Sequence, residues 1–163
     1  MTGDNGMRGR FRKAALWAFG LAAILAPGHG TARAADGARV EAWAGIYRCA
    51  QGLTGARLVL TAGADGAVHG VFEFYGIPGN PPVPRGCFEV DGRLGSDGGL
   101  QLQPGAWRLR PPSYVRVALL GQEIAGQHLV GRVIGPGCSD FSLDPLPAAS
   151  LRALPSACIG AIS

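Results

Sequence analysis

Residues 67–75 read Ala67-Val68-His69-Gly70-Val71-Phe72-Glu73-Phe74-Tyr75. Successive side chains of a strand point to opposite faces, so Val68, Gly70, Phe72 and Phe74 share one side and Ala67, His69, Val71, Glu73 and Tyr75 the other. The first side is apolar throughout, and the second carries Val71 and Tyr75 beside its polar residues. A run this rich in β-branched and aromatic residues predicts a strand, and its nearly continuous apolar side predicts a central core strand. Ala64-Asp65-Gly66 ahead of it has the chemistry of a tight turn.

Working outward, the chain from Val40 onward alternates short apolar-polar segments with Gly, Pro, Asp and Asn, and no stretch shows a 3.6-residue apolar period. Trp43, Gly45, Tyr47 and Cys49 share one face of a first strand, and Leu58 and Leu60 mark the inward face of a second. Phe88 and Val90 carry a fourth, with a turn or bulge expected at Asp91-Gly92. Ser96-Asp97-Gly98-Gly99 joins short strands around Leu94 and around Leu100 to Gln103. Tyr114 to Leu120 and His128 to Ile134 follow, linked by a segment holding Gly121 and Gly126, and Phe141 to Leu143 closes the series.

About eight strands joined mostly by hairpins predict an all-β fold, a small antiparallel barrel, because closing an uninterrupted meander removes its exposed edges. The alternative is a two-sheet β-sandwich. Gly45, Gly70 and Gly131 inside strands are expected at sharp bends or beneath aromatic rings. The barrel is assigned to residues 43–143, preceded by a leader at 35–42 and followed by a Pro/Ala-rich tail at 144–163. A short helix is expected to start at Ser150 to Ala153, before Pro155.

The first 34 residues have the three zones of a secretory signal peptide: a basic stretch with Arg8, Arg10, Arg12 and Lys13, an apolar run from Ala14 to Ala26, and Thr31-Ala32-Arg33-Ala34-Ala35. Thirteen apolar residues rise only about 20 Å as a helix, short of the roughly 30 Å hydrocarbon core, so no stable membrane span is expected. Pro27, Gly28 and Gly30 end the apolar helix, and Ala32-x-Ala34 supplies small side chains, so cleavage is expected after Ala34. The expected destination is secreted or periplasmic.

This segment holds five of the fifteen basic residues and one of the eleven acids, leaving ten Arg, ten acids and no Lys in the mature part. The basicity of the whole chain therefore lies mostly in the leader, and nucleic acid is not an expected partner. Cys49, Cys87, Cys138 and Cys158 all lie in the mature part, an even number that favours disulfides in an exported chain. Three pairings are open. No two cysteines are closer than twenty residues, which excludes the usual zinc layouts.

The series Trp43-x-Gly45-x-Tyr47-x-Cys49-x-Gln51-Gly52-x-Thr54, Phe72-x-Phe74-Tyr75, Asn80-Pro81-x-Val83-Pro84-x-Gly86, Trp107, Pro111-Pro112-x-Tyr114-Val115, Leu129-x-Gly131-x-Val133 and Gly135-Pro136-Gly137-Cys138-x-x-Phe141-x-Leu143 resembles a small exported bacterial β-module, found alone or attached to peptidase-like and other hydrolase domains. The likeness runs from Trp43 to Leu143. It implies a Cys49–Cys138 bridge, with Cys87 and Cys158 left as each other's partners, and it implies no activity.

The mature part has only His69 and His128 as candidate bases. His69 and Glu73 lie about 13 Å apart along a strand, too far to pair. No metal cluster or phosphate loop stands out, so neither catalysis nor a cofactor is expected. Two stiff loops carry the binding candidates: residues 76–86 with four prolines and Arg85, and residues 105–114 with Trp107, Arg108, Arg110 and Tyr114, residue types enriched at binding hot spots. The expectation is a non-catalytic recognition module for an envelope glycan, a peptide or a small apolar ligand. The alternative is an inhibitor of an extracytoplasmic protease or lysozyme, with Arg85 in the enzyme's cleft. For Trp107 the competing role is a plug closing one end of the barrel.

Overall fold

The computed structural model describes residues 39–147 and Cys158. The signal segment at 1–34 and the short helix expected at Ser150 to Ala153 lie outside the described residues. Eight strands follow in chain order: β1 (Arg39–Cys49), β2 (Gly52–Ala62), β3 (Ala67–Tyr75), β4 (Gly86–Leu94), β5 (Gly99–Leu109), β6 (Ala118–Ile124), β7 (His128–Ile134) and β8 (Asp140–Pro145). Each pairs antiparallel with the next, and β8 pairs with β1, giving a closed barrel in meander order.

Two of the hairpins use the same local chemistry. Gly63-Ala64-Asp65-Gly66 joins β2 to β3, and Gly95-Ser96-Asp97-Gly98 joins β4 to β5. In each, the N–H of the fourth residue donates to the carbonyl of the first, at 3.1 and 2.9 Å, and the Asp side chain accepts from the amide two residues on, at 3.0 Å. Gly66 and Gly98 take positive φ of 76° and 82°, which is why the fourth position is glycine.

The inward face follows the two-residue period. Trp43, Leu58, Leu60, Phe72, Phe88 and Val90 are buried from β1 to β4, and Leu100, Leu102, Leu119, Leu129, Val133, Phe141 and Leu143 from β5 to β8. Phe72 sits at the centre, edge-on to Tyr47 with centroids 5.5 Å apart and tilted against Phe88 at 5.4 Å. The outer wall carries Arg48, Asp91, Arg93, Gln101, Gln103, Arg132 and Asp140, all exposed. Ile46, Leu120, Ile124 and Ile134 are exposed on the strands as well.

Several boundaries differ from the expectation. Asp91-Gly92 is not a turn: β4 runs through it, with Asp91 opposite His69 and Gln103. Gly92 is needed because a Cβ there would come 1.8 Å from the Gln101 carbonyl oxygen. The stretch from Gly105 to Leu109 is strand rather than loop, held by β4 through Phe88↔Trp107 and Cys87↔Leu109. Pro111 and Pro112, which lack N–H groups, then end it. Tyr114 to Val117 is irregular, and β6 begins only at Ala118.

Strand pairing also extends beyond residues 43–143, to Arg39 in β1 and Pro145 in β8. Aromatic rings do lie over glycines, but over Gly55 (Tyr75) and Gly86 (Phe74). Gly45, Gly70 and Gly131 instead mark close approaches of neighbouring strands.

Both cysteine pairs are bridged, Cys49 to Cys138 and Cys87 to Cys158. The first ties the end of β1 to the β7–β8 connection. The second lies outside the barrel, where Cys87 and Cys158 pack against Val71. Also on that outer side, Glu73 is only 2% exposed; Arg57 donates to it at 2.8 Å and Arg85 forms an ion pair at 3.1 Å. Tyr75 lies beside both guanidinium groups, 5.7 and 5.8 Å from its ring centroid.

Candidate functional site

The wall of the barrel is incomplete at one end. β5 pairs with β6 only over Gly99 to Leu102, so from Gln103 to Leu109 it has β4 on one side and no strand on the other. The segment from Arg110 to Val117 crosses this opening. A turn from Pro111 to Tyr114, with the Tyr114 N–H donating to the Pro111 carbonyl at 3.4 Å, puts Ser113 at φ 65°. That left-handed conformation costs a non-glycine residue roughly 1 kcal/mol, a kind of strain that clusters at functional sites. The turn brings Tyr114 into the barrel mouth, where its ring stacks on Phe74 at 5.1 Å and 14°.

The space left beneath is a cavity of about 470 Å³, within the range of small-molecule sites. It is bordered by Gln51 and Tyr114, with Phe72, Phe74, Phe88 and Tyr47, all nearly fully buried, lying behind it. Ser113, Val115, Val117, Pro136 and the Cys49–Cys138 bridge border it, with Val115 59% exposed at the rim. The interior is thus filled by packed side chains, and a recess opens to solvent at this end.

Tyr47 supplies the polar tip. Only 4% of it is exposed, and the Gln51 side-chain amide donates to its phenol oxygen at 2.8 Å. Burial pushes the phenol's pKa well up and the nearby Tyr114 adds to this, while hydrogen bonds from Gln51 and Thr54 oppose it. Tyr47 is therefore neutral across the physiological pH range. Above about pH 10 the unfolded phenol ionises while the folded one keeps its proton, so the native state binds more protons and stability falls as pH rises. Denaturant unfolding from pH 8 to 11 should show this alkaline decline, and Tyr47→Phe should flatten it.

The Pro-rich loop braces this mouth. Asn80 donates through its side-chain amide to the carbonyls of Gln51 and Leu53, at 2.7 and 3.1 Å, fixing the backbone on which Gln51 sits. Val83 is buried.

The five residues expected to bind are not brought together. Tyr114 lines the cavity. Trp107 packs inward, 5.4 Å from Phe88 and 6.3 Å from Phe74, as a plug would. Arg85 is drawn back against Glu73 and Tyr75 on the outer wall, and Arg108 pairs with Glu89 at 3.3 Å. Arg110 is exposed, with no ion pair among the described residues.

His69 is exposed on the outer face, and exposed His128 meets Asp144 at 2.6 Å across β7 and β8. Tyr47 and Gln51, which border the recess, were not among the residues expected at a site. The available signal was a residue with a polar tip on an inward face, two positions from the end of its strand. Compared with family models, curated proteins and solved structures, the chain matches none.

Proposed function

We propose that this protein is a non-catalytic binding module, exported from the cytoplasm, that takes a small apolar molecule, or the apolar end of a larger envelope molecule, into the barrel mouth. The observation carrying this reading is the recess of about 470 Å³ at the barrel mouth, bordered by Tyr114, Val115, Val117 and Pro136 and backed by three buried phenylalanines. A barrel of this strand number can fill its interior or hold one small ligand, and an apolar hollow with a few converging polar groups is the usual form of a ligand site. Two disulfides support an oxidising compartment as its destination. The likeness to exported modules attached to hydrolase domains agrees with a recognition role, and Arg85, held against the barrel wall, gives the inhibitor alternative little to insert into a cleft.

The test is binding of N-phenyl-1-naphthylamine, a neutral dye whose fluorescence rises in apolar surroundings. Ala50 is exposed and borders the cavity, so Ala50→Trp covers the opening without entering the core. The dye should bind the unaltered protein, and Ala50→Trp should weaken it about tenfold or more, an order-of-magnitude expectation for blocking an apolar site. Arg108→Ala and Arg110→Ala should leave it unchanged. Loss of dye binding in the arginine variants with none in Ala50→Trp would move the site to the loops.

A further inference from the structure

The charges of the barrel are sorted between its two ends, and their placement bears on the ligand, an inference that rests on the binding reading above. We propose that the mouth selects an anionic amphiphile, a single molecule whose apolar body enters the recess while its phosphate or carboxylate head lies against the arginines of the rim.

Three observations converge on this. First, residues 39–147 hold nine arginines and nine carboxylates, so this part of the chain has no excess charge, yet the meander separates the two signs. The mouth end is where β1, β3, β5 and β7 finish and β2, β4, β6 and β8 begin. In the connections there, or among the three strand residues nearest them, stand Arg48, Arg85, Arg108, Arg110, Arg116 and Arg132, against Glu73 and Asp140. The same positions at the opposite end hold Glu41, Asp65, Asp97, Glu123 and Asp144, against Arg39 and Arg93. The positive end therefore surrounds an opening with apolar walls, an arrangement that concentrates the field and draws in anions.

Second, three arginines of the rim are uncommitted. Arg85 pairs with Glu73, Arg108 pairs with Glu89, and Arg132 lies opposite Asp140 in the β7–β8 register. Arg48, Arg110 and Arg116 are exposed and have no ion pair among the described residues. Arg116 donates through one guanidinium nitrogen to the Gly105 carbonyl and keeps further N–H groups for another acceptor. A guanidinium is charged at every physiological pH, and its fork matches the oxygens of a phosphate or carboxylate.

Third, these arginines bracket the recess along the chain. Arg48 lies between Tyr47 and Cys49, Arg116 lies between Val115 and Val117, and Arg110 begins the segment that carries Ser113 and Tyr114; each of those neighbours borders the recess. No charged residue is found among the described residues that line it. An anion inside would lose its water beside Tyr114, Val115 and Val117 with no cation to replace it, whereas at the rim it keeps water and meets guanidinium groups. A bare anion has no body for the recess and a neutral apolar molecule leaves the arginines unused, so an amphiphile is the ligand that engages both.

The experiment uses octyl phosphate, octanol, octylammonium and inorganic phosphate. Each is titrated at pH 7, below the onset of micelles, by displacement of N-phenyl-1-naphthylamine from the full disulfide-bonded protein. In about 0.01 M salt, where the Debye length is about 30 Å, octyl phosphate should bind about tenfold tighter than octanol, the order expected of a few exposed ion pairs. Octylammonium should bind more weakly than octanol, and inorganic phosphate should not displace the dye. In about 1 M salt, where the Debye length is about 3 Å, the gap between octyl phosphate and octanol should all but close. Arg48→Gln/Arg110→Gln should remove most of that gap at low salt.

Equal affinity of octyl phosphate and octanol at low salt, tighter binding of octylammonium, displacement by inorganic phosphate, or a gap that survives high salt would overturn the proposal while leaving the mouth as a binding site. Cosedimentation with phosphatidylglycerol vesicles, without displacement of the dye by monomeric octyl phosphate, would also overturn it and assign the positive end to a membrane surface. If no probe displaces the dye and the dye itself does not bind, the underlying site reading fails as well. The comparisons on the unaltered protein decide the matter even if the double variant does not fold.

Discussion

Phe72→Ala should lower the unfolding free energy by about 4 kcal/mol, within the range for emptying a buried phenylalanine site. Phe72 is fully buried at the centre of the barrel, between Tyr47 and Phe88, with Leu58 opposite it on β2. A closed barrel has little means of collapsing into the void, because strand pairing on both sides of β3 fixes the wall. Three residues earlier on the same strand, exposed His69 points the other way, and His69→Ala should change stability by no more than about 0.5 kcal/mol. Chemical denaturation of the two variants checks both the direction of the pleat and the closure of the wall. Equal effects would mean that β3 is not the core strand.

Removing the Cys49–Cys138 bridge as a Cys49→Ala/Cys138→Ala pair should cost about 4 kcal/mol, because its 89-residue separation leaves the unfolded chain much freer. That corresponds to a fall in Tm on the order of 20 °C for a domain of this size. The Cys87–Cys158 bridge spans 71 residues, and since loop entropy varies with the logarithm of length, its removal should cost nearly as much. What separates the two is position. Cys49 and Cys138 border the mouth, whereas Cys87 and Cys158 pack against Val71 on the outer side. Loss of the first bridge should therefore also weaken dye binding, and loss of the second should leave it unchanged. Denaturant unfolding and dye titration on the same two variants separate the stability effect from the site effect.

The barrel was legible because its elements are locally consistent. Ala67 to Tyr75 and His128 to Ile134 alternate cleanly and are bounded by turn residues, and both strands have the expected limits. The Gly-x-Asp-Gly turn at Gly63 to Gly66 is also readable from four residues alone. The second half of β5 was not legible, because Gly105, Ala106 and the nearby prolines have loop chemistry. Residues of β4 hold that stretch extended, and tertiary pairing overrides local propensity.

The candidate site was hidden for a related reason. The cavity exists because β6 fails to follow β5 past Leu102, a property of two strands together that no single segment encodes. The arginines misled in the same way. Arg108 looked free in the chain, but the register of β4 against β5 sets Glu89 beside it.

In the function proposed above, the barrel mouth is where a ligand is held. Protein-detected NMR during titration with N-phenyl-1-naphthylamine tests this most directly. The side-chain signals of Phe74, Tyr114, Val117 and Gln51 should move together and saturate. Shifts confined to Arg85, Arg108 and Arg110, with the mouth residues unmoved, would contradict it.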